Sequence, residues 1–160
     1  MRTLVLGLGN PILSDDGVGI RVVEAVAEAA DEGADVQVET ACVGGLRLME
    51  QMIGWDRVIL VDAMVSGEEP GTVRVTDPET FPTFHSSCSH DTSLREALEL
   101  GRSTGMHLPS PQHLRCVAVE AADVHTFSER CTPEVESAIP RAVERVLGLL
   151  AVTEGEHATA

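Results

Sequence analysis

Asp16, Asp62 and His90 are the side chains of this sequence best suited to holding a divalent cation. Two carboxylates and one imidazole form a mixed oxygen and nitrogen set that suits a first-row divalent ion, with positions left open for a substrate. Asp62 is the most informative of the three. It follows the apolar run Val58-Ile59-Leu60-Val61, and an isolated buried carboxylate is very costly, so it must be solvated or paired, as it would be at the edge of a cleft. On spacing alone a structural reading competes: Asp16 capping a helix, Asp62 capping a turn and His90 on a surface loop, since capping is the common use of such Asp residues.

The other candidates carry less. His85 and Cys88 lie close to His90, but a second ligand pair at regular spacing is missing, which disfavours a zinc cluster. His107, His113, His125 and His157 read as solvated loop or tail residues. The sequence contains no H-E-x-x-H, no G-x-S-x-G and no Walker loop, and no Ser or Cys has an evident base partner, so a covalent mechanism is disfavoured. Gly7-Leu8-Gly9 begins like a dinucleotide fingerprint. The third glycine would fall at position 12, which is Ile, and Asp15 and Asp16 would repel a pyrophosphate there.

The elements that must position these groups alternate strand and helix. Thr3 to Leu8 reads as a strand apolar enough to be covered on both faces. Gly17 to Ala30 carries apolar residues at helical spacing, with Asp15 or Asp16 at its N-terminus. A strand from Val36 to Ala41, a short helix from Leu46 to Met52 and a strand from Arg57 to Val61, ending on Asp62, follow. The next strand signal, Gly71 to Val75, comes too soon for a parallel crossover, so it is expected as an antiparallel hairpin partner at an edge. Ser93 and Glu96 form a capping box that opens a helix to Ser103. A strand from Leu114 to Val119 leads to a last helix, with Thr132 as cap, Pro133 in the first turn, a stripe from Val135 to Leu150 and a kink at Pro140. The expected fold is a three-layer α/β/α sandwich on a mostly parallel, mixed five-stranded sheet, in one domain over residues 1–152 with a flexible tail over 153–160. In such a sheet ligands bind at the carboxyl ends of the strands, where Asp16 and Asp62 fall and which the loop carrying His90 can reach.

With 26 acidic and 11 basic residues the net charge is -15, which opposes binding to nucleic acid phosphates. The apolar opening is too short for a signal sequence or a membrane span. Cys42, Cys88, Cys116 and Cys131 form no C-x-x-C pair. The expectation is a soluble, cytoplasmic protein with reduced thiols, most of them small core residues, and with no nucleic acid or membrane partner. No long heptad or broad apolar stripe demands a partner, so a monomer is expected.

Four blocks carry a resemblance: G-L-G-N-P-I-L-S-D-D-G-V-G-I-R-V-V-E, D-R-V-I-L-V-D-A, S-H-D-T-S-L-R-E-A-L and T-P-E-V-E-S-A-I-P-R-A-V-E-R-V-L. In this order they resemble the nickel-iron hydrogenase maturation proteases. The resemblance implies an endopeptidase that removes a C-terminal extension from the hydrogenase large-subunit precursor after nickel insertion. It places metal contacts at Asp16, Asp62 and His90, the same three residues that the strand-end argument selects. The implied metal is nickel carried by the substrate, with other divalent cations able to substitute. The implied chemistry is metal-assisted or of the aspartic type, with Asp16 or Asp62 as general base. Many relatives carry Glu at the position of Asp16. The family's Gly-Gly-Thr-x-Gly stretch stands here as Ala41-Cys42-Val43-Gly44-Gly45, and Ser93 replaces a usual glycine. Two rivals remain at this point. One is a peptidyl-tRNA hydrolase, which shares the G-L-G-N-P opening but needs a later His and a basic surface. The other is a non-catalytic metal-binding or delivery module using the same ligands.

Overall fold

The computed structural model describes residues 1–30, 35–80, 83–85 and 92–156, with side chains to 152. Five strands, β1 (Thr3–Leu8), β2 (Val36–Ala41), β3 (Arg57–Met64), β4 (Val73–Thr76) and β5 (Leu114–Glu120), form one sheet in the order β2-β1-β3-β5-β4. All pairings are parallel except β4 with β5. Four helices, α1 (Val18–Ala29), α2 (Gly45–Met52), α3 (Leu94–Ser103) and α4 (Pro133–Glu156), cover the faces, and a 3-10 turn, Ser14–Gly17, precedes α1.

Strand alternation divides the core in two. Leu4, Leu6, Leu8, Leu60 and Cys116 point to one face and pack with Leu48, Met52, Leu94 and Leu98 of α2 and α3. Val5, Ile59, Val61, Val117 and Val119 point to the other and pack with Val22 and Val26 of α1 and Val135 and Val146 of α4. Both faces are apolar because parallel strands are covered on both sides, so the three-layer expectation holds.

The antiparallel strand sits at the edge as expected, but its partner is β5, not β3. Residues 65–72 are long enough to step over one strand position, about 10 Å of sheet for two strand spacings. Glu120, buried at the end of β5, anchors that step by accepting from the backbone N–H of Ser66 and Gly67 and from the Ser66 hydroxyl. β5 thus inserts between β3 and β4. The capping box of α3 forms as read: Ser93 Oγ accepts from Glu96 N, and Ser93 N donates to Glu96 Oε2 at 2.9 Å. α4 holds Pro140 in its interior and runs to Glu156, past the point where the apolar pattern ends. Of the described cysteines only Cys116 is buried, whereas Cys131 is partly buried and Cys42 exposed, so the expectation of mostly core cysteines fails. Both Cys42 and Cys131 follow or precede elements rather than lying within them.

Candidate functional site

Strand order reverses between β1 and β3, because α1 leads from β1 to β2 on one side and α2 leads from β2 to β3 on the other. That reversal opens a crevice at the carboxyl ends of the two strands. Asp16 enters it from the turn after β1, and Asp62 enters it from β3 itself. β3 does not stop before Asp62. It continues to Met64, paired with β5 as far as Glu120, while its pairing with β1 ends at Gly7 and Val61. Asp62 therefore lies just past the point where the β1 pairing ends, as a fully buried acid.

The turn that delivers Asp16 depends on close backbone approach. Gly9 has φ 142°, and a Cβ there would stand 1.9 Å from the Asp16 carbonyl oxygen. Gly19, in the first turn of α1, lets the helix lie directly on β1 and β3; a Cβ would meet the carbonyl oxygens of Val61 and Leu8 at 2.3 and 2.4 Å. Between them Ser14 adopts φ 50°, uncommon for a residue with a side chain. It is held by its N–H on the Ser128 carbonyl at 2.9 Å.

The adjacent acids part company. Asp15, fully buried, accepts from Ala122 N, Asp123 N and Thr132 N at 2.9, 3.0 and 2.7 Å and from the Thr132 hydroxyl. It ties the turn to the loop before α4, and it draws the Thr132 hydroxyl to itself. Asp16 turns the other way. Its Oδ2 accepts from Asn10 N at 3.0 Å, while its Oδ1 is buried with no hydrogen-bond partner among the described residues. Burial raises the Asp16 pKa and the nearby Asp62 charge adds to this, against the lowering effects of His85 and the Asn10 hydrogen bond.

The side chain between the two acids is His85. Its Nδ1 lies 2.7 Å from Asp62 Oδ1, its backbone N–H donates to Asp62 Oδ2 at 2.8 Å, and its Nε2 faces Asp16 Oδ1 at 3.5 Å. Phe84 N bonds the Ala63 carbonyl at 3.0 Å, so this short segment docks on the end of β3. A two-pronged ion pair of Glu79 with Arg102 fastens the chain before it to α3. Burial alone would lower the His85 pKa, but the hydrogen bond to Asp62 and the charges of Asp62 and Asp16 outweigh it, and the net shift is upward.

Of the three residues selected from the sequence, Asp16 and Asp62 thus meet at one imidazole, and His90 lies outside the described residues. Cys88, weighed with His85 for a zinc cluster, lies outside them too. Among the described residues no three His, Cys, Asp or Glu groups surround one point as metal ligands. Sequence reading weighed His85 only with Cys88, as a zinc cluster, and disfavoured it; it did not place His85 between the acids, because a His in a loop rich in Ser, Thr and Pro carries no periodic signal. Its one sequence mark is a position five residues before His90.

Comparison with known proteins gives the family. The family model described as hydrogenase maturation protease matches residues 20–149. This chain belongs to the hydrogenase maturation protease family. It is 33% identical over 153 residues to the hydrogenase 2 maturation protease of Escherichia coli K12, covering 94% of this chain and 91% of that one. It is 31% identical to the hydrogenase expression/formation protein HupD of Rhizobium leguminosarum bv. viciae, over 93% of this chain and 74% of the relative. The solved structure of the hydrogenase maturating endopeptidase HybD from E. coli superposes with a TM-score of 0.80 at 31% identity, over 96% of this chain and 94% of that one. Family membership removes the peptidyl-tRNA hydrolase reading. No helix among the described residues is long and apolar enough to cross a membrane.

Proposed function

We propose that this chain is an endopeptidase that removes the C-terminal extension of a nickel-iron hydrogenase large-subunit precursor once nickel is in place, and that Asp16, Asp62 and His90 recognise the nickel. The observation that carries the reading is the buried Oδ1 of Asp16, which makes no hydrogen bond among the described residues and faces, at 3.5 Å, the same imidazole that Asp62 holds. An orphaned carboxylate oxygen in such a place is costly unless a cation or donor from outside completes it. The names of the E. coli relatives, a maturation protease and a maturating endopeptidase, support the same reading. Nickel belongs to the substrate here: it reports that insertion is complete and sets the scissile bond beside the site.

The chain's own part in cleavage is to orient and to accept a proton. The upward shift of Asp16 suits it to a base, since a carboxylate with raised pKa holds an abstracted proton more firmly. That shift favours, as a second reading, Asp16 as general base for an attacking water. A cysteine nucleophile is disfavoured at the described positions. Burial raises the pKa of Cys116 well above the usual range, that of Cys131 to about 11 and that of Cys42 upward, and only thiolates attack well.

The test is to incubate nickel-loaded and nickel-free precursor with the wild type, Asp16→Asn, Asp62→Asn and His90→Ala, and to read intact mass. The expected result is loss of C-terminal mass only with nickel and wild-type protein, each variant slowing it by at least about tenfold. Full cleavage by all three variants would overturn the site. Metal transfer to an acceptor with no loss of mass would favour a delivery module instead.

A further inference from the structure

The geometry points to His85 as a nitrogen ligand for a divalent cation, paired with Asp16 and held in place by Asp62. Two donor atoms bound to one small cation at about 2.1 Å each lie about 3.4 Å apart in tetrahedral geometry. His85 Nε2 and Asp16 Oδ1 are 3.5 Å apart. The oxygen of that pair is the buried one with no hydrogen-bond partner among the described residues. The nitrogen is aimed by the contact on the other side of the ring, where Nδ1 meets Asp62 Oδ1 at 2.7 Å. Carboxylate, imidazole and metal in line form the arrangement by which proteins fix the tautomer of a metal-binding histidine: Nδ1–H donates to the acid and the Nε2 lone pair goes to the ion. The ring is further fixed by its own backbone, since His85 N donates to Asp62 Oδ2 and Phe84 N to Ala63 O, and by an edge contact with the Phe84 ring at 5.3 Å between centroids.

In this arrangement Asp62, besides its part in recognising the nickel, positions the ring. Both of its oxygens are engaged, Oδ1 by His85 Nδ1 and Ala63 N and Oδ2 by His85 N. Asp16 Oδ1 and His85 Nε2 face each other at 3.5 Å with no hydrogen bond between them, and an ion held there keeps positions open for ligands from a partner. The inference rests on the proposed function only in taking the nickel of the precursor as the ion met here. The site itself is tested with metal alone.

Purified full-length protein is titrated calorimetrically with Ni²⁺ and with Zn²⁺, for the wild type, His85→Ala, His85→Gln, Asp62→Asn and His90→Ala. Long-range ¹H–¹⁵N spectra of the wild type with Zn²⁺ follow the histidine nitrogens. The expected result is a fall in affinity of at least about tenfold for both His85 variants. Asp62→Asn falls as well, and Nε2 of His85 moves to a metal-bound shift while Nδ1 stays protonated. Wild-type affinity in both His85 variants, no shift of Nε2, or no metal uptake by the wild type would each overturn the proposal. The spectra use only unaltered protein, so a variant that fails to fold does not blunt the test. Precursor cleavage is scored separately. Cleavage with no dependence on His85 in metal binding sinks this inference and leaves the protease reading standing. Metal binding through His85 without precursor cleavage does the reverse.

Discussion

Asp15→Asn and Asp16→Asn remove one charge each from neighbouring positions, yet opposite outcomes are expected. Asp15 accepts three backbone N–H groups and a hydroxyl, arranged as Ala122 N and Asp123 N on Oδ2, Thr132 N on Oδ1 and the Thr132 hydroxyl against both oxygens. An Asn amide offers one acceptor oxygen and one donor nitrogen, so it can serve one side only and must set its NH₂ against donors on the other. With about 1–3 kcal/mol for each buried group left unsatisfied, Asp15→Asn is expected to cost about 2–4 kcal/mol. In a domain of this size that corresponds to about 6–12 °C in Tm. Asp16 accepts one backbone hydrogen bond, and its ionised form is disfavoured by burial and by Asp62. An acid with a raised folded-state pKa binds its proton more tightly folded than unfolded, so its ionisation removes stability as pH rises past the ordinary Asp range. Asp16→Asn should therefore unfold within about 1 kcal/mol of the wild type, or be the more stable, at neutral pH. Urea unfolding followed by circular dichroism reads both, with midpoints compared at equal slope. Equal stability of Asp15→Asn and wild type would refute the assignment of Asp15 to structure, and a large loss in Asp16→Asn would refute its assignment to the site.

The remaining predictions concern packing, titration and thiol chemistry. Gly19→Ala should lower stability by about 2 kcal/mol or more, because its Cβ would meet two backbone carbonyl oxygens that cannot turn aside; a wild-type melting curve would contradict this. Asp123 should titrate at about 2 by NMR, held down by hydrogen bonds from the Thr126 side chain and from the Thr126 and His125 backbone. Its contribution to stability is present above the ordinary Asp value and is lost as pH falls through about 2, and an ordinary titration midpoint would count against it. In native protein at pH 7.5, mass-mapped alkylation should reach Cys42 before Cys116, since Cys42 is exposed and Cys116 is buried with a strongly raised pKa. Cys42→Ser and Cys131→Ser should keep precursor cleavage, and loss of cleavage in either would reopen a thiol mechanism.

The sequence by itself determined the elements and the layers. Val36–Ala41 forms the strand that its alternation describes, and Ser93 with Glu96 makes the capping box, because periodicity and capping are local properties of a few consecutive residues. It also singled out Asp62, since an acid directly after an apolar strand run has few places to go. Tertiary structure decided what local pattern cannot hold. Which of two adjacent acids faces the crevice depends on the loop before α4, more than a hundred residues away, whose amides claim Asp15 and leave Asp16 free. Whether β4 pairs with β3 or β5 depends on Glu120 anchoring the loop that steps over a strand. That His85 lies between the acids depends on its segment docking on the stretch of β3 that β1 leaves open. Each of these is a contact between distant segments, and its donors and acceptors become neighbours only once the sheet has formed.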